Sequence, residues 1–336
     1  MRRLARAANH KLAPEMGGMM VVALLGLGGY ALFPDDLAFL TRLIGIALLV
    51  LSLDLVTGFC GIATLGQAAL FGFAAYATGN ACLAGVTDPV ALLGVGIAAG
   101  MLAGLASGAL IARFRGLPQL VVSIALGQLA AALANKLSFL TGGSDGLPGI
   151  VPGPVFGIFR FDLYSRTAYL MSAVVLCIVF ALLIRLVRSP FGLLCRGIKD
   201  DDMRAQMIGA AIYPQLVLMF GAAGAVAGAG GALTAITTGV VGLDSVGFER
   251  SAEALVMLVL GGAGNVWGAL AGAVLFQIFE HVVSAANPFH WMSLVGVLLI
   301  AIVVFAPKGL SSAACAVWSR LLSSLVSWGG SHGKPA

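Results

Sequence analysis

Apolar runs about as long as a bilayer is thick recur from one end of this chain to the other, and they decide what it can fold into. Gly17 to Phe33 and Val90 to Ala112 each pass without a charged residue. A hydrocarbon core of roughly 30 Å is crossed by about 20 apolar helical residues, because away from water only a helix or a closed barrel satisfies every backbone amide. Hydrophobic residues make up 60% of the 336 and charged residues only 10%, so no stretch is polar enough to fold separately in water. The expected fold is all-α: a single polytopic transmembrane helical bundle over residues 1–336 whose spans bury one another.

The blocks begin near Gly17, Leu37, Ile62, Val90, Leu117, Thr167, Ala211, Ser251 and Trp291. With a cytoplasmic N-terminus, Asp35, Asp36, Asp88, the 141–166 loop and Asp244 fall outside. Arg113, Arg115 and the 185–204 segment then fall inside, where loops carry the excess of Lys and Arg. An odd number of crossings would strand Lys308, Arg320 and Lys334 outside. The block from Ser251 to Ser284 is too long for one span and is interrupted by Gly261-Gly-Ala-Gly-Asn265, so it divides. Ten spans with both termini cytoplasmic follow, the 248–260 half being short for a full crossing. Residues 1–16 form a basic tail and 311–336 a C-terminal tail, both cytoplasmic. The run to Phe33 ends without a small-x-small pattern, so it reads as a retained first span rather than a cleaved signal.

Gly96, Gly100, Gly104 and Gly108 recur every four residues, as do Gly224 and Gly228, and such stripes let transmembrane backbones approach closely. The five cysteines, Cys60, Cys82, Cys177, Cys195 and Cys315, lack CxxC spacing and read as small packing residues. The net charge of +5 sits in short loops and sets topology; it is not a nucleic-acid signature.

Polar groups at membrane depth are costly and face the bundle interior or an aqueous path. Asp54 precedes the break Thr57-Gly-Phe-Cys-Gly61, with Arg42 or a backbone amide at the break as its candidate partner. Thr64 and Gln67 lie three apart, and Gln128 and Asn135 seven apart, so each pair is expected on one helical face. Glu253 opens the Ser251 block. Asp54, Thr64, Gln67, Gln128, Asn135 and Glu253 are therefore the candidate pathway residues, although interhelical hydrogen bonding alone accounts for Gln, Asn and Thr. The four histidines, His10, His281, His290 and His332, are far apart, and no nucleophile, metal or phosphate-loop motif appears, so neither enzyme activity nor a cofactor is expected.

Several segments in order resemble the LivM-like permeases of branched-chain amino acid ABC transporters. They are Asp54-Leu-Val-Thr-Gly58 with Thr64-Leu-Gly-Gln67-Ala-Ala-Leu-Phe-Gly72, Arg115-Gly-Leu117, Thr141-Gly-Gly-Ser-Asp-Gly-Leu147 and Ser189-Pro-Phe-Gly-Leu-Leu-Cys-Arg196-Gly-Ile-Lys199-Asp-Asp-Asp202. Glu253-Ala-Leu-Val-Met-Leu-Val-Leu-Gly-Gly-Ala-Gly-Asn-Val-Trp-Gly268 and Phe305-Ala-Pro-Lys-Gly-Leu310 complete the series. The resemblance implies an importer permease in the bacterial inner membrane, working by alternating access. Its implied partners are a second homologous permease, two cytoplasmic ATPase subunits that use the ATP, and a periplasmic solute-binding protein. It also implies that 189–209 is the segment coupled to the ATPase, through Arg196, Lys199, Asp202, Ala205 and Gly209, and that Thr141, Gly142, Gly143, Ser144 and Asp145 form an outer gate or docking loop. The chain departs from the family at Asp54 for Asn, at Gln128 for an acidic residue and at Pro118-Gln119 for an aromatic pair. Urea, short amides and small carboxylates stay open as solutes, and an ion-coupled secondary transporter using Asp54 or Glu253 stays open as a class.

Overall fold

The computed structural model describes residues 36–154 and 165–286 without interruption, with scattered positions in 26–30 and 293–300. The 1–16 and 311–336 tails, the 305–310 motif, and most of the expected spans at 17–33 and from Trp291 lie outside the described residues.

Among the described residues every regular element is helical, and the one extended pairing is an isolated bridge between Leu147 and Val241. Helix α1 (Leu37–Leu53) passes into a π-helical turn at Asp54–Phe59. Then follow α2 (Gln67–Leu83), α3 (Pro89–Ile111), α4 (Leu117–Lys136) and the short α5 (Ser138–Thr141). The second half contains α6 (Arg166–Arg188), α7 (Pro190–Asp200), α8 (Asp202–Met207), α9 (Ile212–Thr238), α10 (Phe248–Gly261) and α11 (Val266–Ala286).

Among the described residues, six helices are long and apolar enough to cross a membrane: α1 with its π-turn, α3, α4, α6, α9 and α11. Two more of the expected spans are present as shorter helices. The block near Ile62 becomes helical only at Gln67 and gives 17 residues, and the 248–260 block gives 14 residues, about 21 Å at 1.5 Å per residue. The chain does break between α10 and α11, at the glycine-rich stretch that divided the block in sequence.

The two central helices are α1 and α9, and both are apolar on all sides, as buried helices are. Against α9 lies α3, which buries Leu92, Gly96, Gly100, Gly104, Gly108 and Ile111 and leaves its other side exposed. The two glycine stripes meet each other: a Cβ built on Gly100 would sit 2.7 Å from Gly228 Cα, and one on Gly224 would sit 2.9 Å from Gly104 Cα. Only hydrogen at these positions lets the backbones come this close, so the spacing read in the sequence serves packing. The outer faces of α3, α4 and α6 carry exposed leucine, valine and isoleucine, the surface that lipid or another membrane chain covers.

Candidate functional site

Two interruptions of helix in the bundle hold the polar residues. At the first, chain 61–66 runs without regular structure between the π-turn and α2. Inside a membrane such backbone survives only if its polar groups find partners in the protein. Side chains supply them: Ser123 Oγ accepts from the Leu65 amide at 3.2 Å, Thr64 Oγ1 from Gly66 at 3.2 Å, and Ser251 Oγ from Ala68 at 3.1 Å. Gln67 donates through Nε2 to Ser52 Oγ at 3.2 Å, pinning the start of α2 to α1. Ser123 stands six residues into α4, about 9 Å from its start, so the break lies well inside the bundle.

Beside this break, α2, α3 and α4, with Phe220 of α9, line an open cavity of about 200 Å³. Thr64, Gln67, Ser107 and Ser123 are its polar lining, and Leu70, Phe73 and Leu110 are among the apolar residues. None of its lining residues is ionisable. Hydroxyls and an amide beside apolar surface suit a small solute without net charge, since they can orient polar ends while the rest is desolvated.

Thr64 and Gln67 come together as expected, although Thr64 sits in the irregular segment rather than on a helix. Gln128 and Asn135 share a face of α4, as their spacing requires, but it is the exposed face. The buried stripe of α4 is Gln119, Ser123, Gly127 and Ala134, so Ser123 and Gly127 meet the cavity where Gln128 does not. Reading only the larger polar residues misses Ser123; the four-residue repeat of small and polar positions at 119, 123 and 127 is the signal that finds it. Glu253 is held by Arg250 at 2.8 Å, three residues away on α10.

The second interruption is 262–265, between α10 and α11. Asp54, only 1% exposed, meets it from the π-turn: its Oδ1 accepts from the Gly264 amide at 2.7 Å. The partner is thus a backbone amide at a break and not Arg42. Gly264 has φ +87°, a left-handed conformation that glycine adopts without strain. The other carboxylate oxygen, Oδ2, is buried without a hydrogen bond.

Asp54 is therefore apart from the cavity and joined to the segment 189–209. Ser189 caps α7 by accepting from Gly192 at 3.3 Å, and Asp201 caps α8 by accepting from Arg204 at 3.1 Å. Three charged residues of this segment reach its own bundle, while Arg204 pairs with Asp201 inside the segment. Lys199 donates to the Gly58 carbonyl at 2.7 Å, Arg196 lies 4.8 Å from the Phe59 ring centroid, and Asp202 pairs with Arg115 of the α3–α4 turn. Ala205 is buried, and Gly209 ends the turn after α8 at φ +83°. Open to solvent are Arg204, whose side chain is 86% exposed, and Asp200, together with the apolar Met203, Met207 and Ile208 at 64%, 82% and 83%.

At the opposite end, Thr141 accepts from the Gly143 amide at 3.3 Å, and Ser144 donates to Asp145 at 3.4 Å. Gly142 has φ +73°, and a Cβ there would run into the Gly146 carbonyl. The loop is tied to the end of α9 by Leu147 donating to Val241 at 2.8 Å. Among the described residues no three or more His, Cys, Asp or Glu side chains come together as a metal site, and the four described cysteines are free thiols.

A model of the family described as branched-chain amino acid transport system / permease component matches residues 37–305, from the start of α1 to beyond α11. The chain belongs to this permease family. It is 26% identical over 306 residues to the high-affinity branched-chain amino acid transport system permease protein LivM of Escherichia coli, covering 82% of this chain and 69% of that one. A probable LivM of Methanocaldococcus jannaschii is 26% identical over 313 residues, 77% of this chain and 88% of that one. LivH of E. coli is 27% identical over 198 residues, 57% of this chain and 64% of that one. Both cavity-lining residues Thr64 and Gln67, the Asp54–Gly264 contact and the 189–209 segment fall within the matched region.

Proposed function

We propose that this chain is a permease subunit of an ABC importer for branched-chain or closely related amino acids. The observation that carries the reading is the family match across 37–305, together with relatives named as branched-chain amino acid permeases. The uncharged cavity agrees with it: an amino acid is a zwitterion of no net charge with, in this class, an apolar side chain.

In this reading the chain crosses the bacterial inner membrane ten times with both termini cytoplasmic, which puts the basic end bearing Arg115, Lys199 and Arg204 on the ATP side. A homologous second permease packs beside it, with Gln128 and Asn135 on the exposed side of α4 continuing the path between the two chains. Two ATPase subunits dock at 189–209, and a periplasmic solute-binding protein delivers solute near 141–145. ATP binding and hydrolysis shift the bundle between outward-open and inward-open populations, and the permease itself forms no covalent bond. Thr64, Gln67 and Ser123 orient the solute, while Glu253 with Arg250 stiffens α10.

The test is uptake of labelled leucine by proteoliposomes holding this permease with a second permease and two ATPase subunits, supplied with a solute-binding protein. ATP-dependent leucine uptake is the expected result. Uptake by this chain alone under a proton or sodium gradient, without ATPases, would replace the reading with a secondary transporter.

A further inference from the structure

Three segments far apart in sequence converge closely at the end of α1. A Cβ on Gly58 would crowd both the Asp54 carboxylate and the Gly264 amide. One on Gly61 would lie 2.8 Å from Lys199 Cγ, and one on Gly264 would lie 3.1 Å from the Gly58 carbonyl and 3.7 Å from Lys199 Nζ. The π-turn, the 262–265 break and α7 are thus joined through one carboxylate and one ammonium. The join is unevenly satisfied. Asp54 Oδ1 has its amide, but Oδ2 is buried without a partner, while Lys199 spends its charge on a neutral carbonyl close by. An orphaned carboxylate oxygen beside an ammonium that has three donors marks a second arrangement within reach. Lys199 is rooted on the exposed side of α7, four residues before the solvent-facing Met203 of α8, so anything that presses on 189–209 moves its anchor.

We propose that Lys199 is a two-position latch whose ammonium passes between the Gly58 carbonyl and the free oxygen of Asp54. The transfer converts movement of α7 into movement of the π-turn and of the α10–α11 break. Lys199 is a positioning residue in this scheme: it touches no solute, and it couples the partner-facing segment to two irregular pieces of backbone. Such a push falls on two irregular pieces: a single π-turn, a form that recurs at functional sites within helices, and a glycine break outside the helical hydrogen-bond ladder. The latch rests on the ABC-permease reading for its source of force.

The test uses the assembled transporter. With Lys199→Met, the ATPases are expected to co-purify and ATP hydrolysis to continue, while uptake per ATP falls at least tenfold. Asp54→Asn is expected to do the same, the double variant to be no worse than either single one, and Lys199→Arg to recover uptake per ATP to within about threefold, because charge and reach are kept. Parental coupling in Lys199→Met would overturn the proposal, and so would loss of the ATPases from both Lys199 variants, which would make the residue a docking or folding element. A second measurement needs no variant at position 199. Cys60 and Cys195 are buried on the two sides of the joint, Cys60 just after the π-turn and Cys195 on α7. In the parental complex, N-ethylmaleimide should label one of them at least fivefold faster in one nucleotide state than in the other, with Cys82 unchanged. Equal rates in nucleotide-free and ATP-trapped states would overturn the latch. If the parental complex failed to take up any amino acid, the functional reading would fall, and the labelling rates would still decide whether α7 moves against the π-turn.

Discussion

The break at 61–66 and the break at 262–265 both leave backbone amides without helical partners inside a membrane bundle, and the two are repaired with different chemistry. The first is satisfied by neutral hydroxyls from three elements, Thr64 in the break itself, Ser123 of α4 and Ser251 of α10, and it borders a cavity with no ionisable lining. The second is satisfied by a carboxylate, Asp54, and lies beside the ammonium of Lys199. Neutral hydrogen bonds to fixed helices make a platform that holds its shape. Charge next to an unsatisfied oxygen makes a joint with somewhere else to go. The comparison teaches that polarity at depth does not have one meaning even within one chain.

The largest effect that separates the two regions is expected at Gly58. Its Cβ position is already filled by the Asp54 carboxylate and the Gly264 amide, so Gly58→Val should destabilise by roughly 3 kcal/mol or more, as overpacking at a rigid site does. Gly127, whose added Cβ would meet its nearest atoms at 3.6 Å, is the control: Gly127→Ala should keep or slightly raise the unfolding temperature in detergent. Equal losses in both would mean that the crowding at the second break is not special.

Next in size is the platform itself. Ser251→Ala leaves the buried Ala68 amide without its acceptor and should lower stability by about 1–3 kcal/mol, with Ser251→Thr recovering part of it. Unfolding midpoints that do not move would show that the first break does not depend on its hydroxyls.

The segment 189–209 sharpens the contrast from the outside. Its exposed apolar residues, rather than its charges, are expected to meet the ATPase, so Met207→Asp should weaken ATPase co-purification about tenfold, about 1.4 kcal/mol. Asp202→Asn acts on a half-exposed pair with Arg115 and should change stability by less than about 1 kcal/mol, leaving the ATPase bound. The reverse order would return the docking role to the charges.

Much of this was readable in the sequence because it follows from periodicity. The glycine stripes at 96–108 and 224–228, the interruption at 261–265 and the charged 189–209 segment each follow from spacing or composition, and each is seen in the fold. What spacing did not reveal was which side of a helix looks inward. Gln128 and Asn135 share a face of α4, yet that face is exposed, because in a helix with little charge the polar residues do not dictate which side is buried; the small residues Ser123 and Gly127, which permit close approach, do. Nor did it reveal that Asp54 and Lys199, 145 positions apart, belong to one joint, since that depends on α7 folding back beneath α1.

The central claim is that the neutral cavity between α2, α3 and α4 holds the solute. Ser107 lines it, and its hydroxyl donates only to Gly104 of its own helix, so Ser107→Cys leaves the platform intact. In the assembled transporter, labelling of that thiol by a small polar maleimide, read by mass spectrometry under turnover conditions, should slow at least threefold when leucine-loaded binding protein is supplied. A labelling rate unchanged by leucine, in a complex that transports leucine, would contradict the account and move the solute out of this cavity.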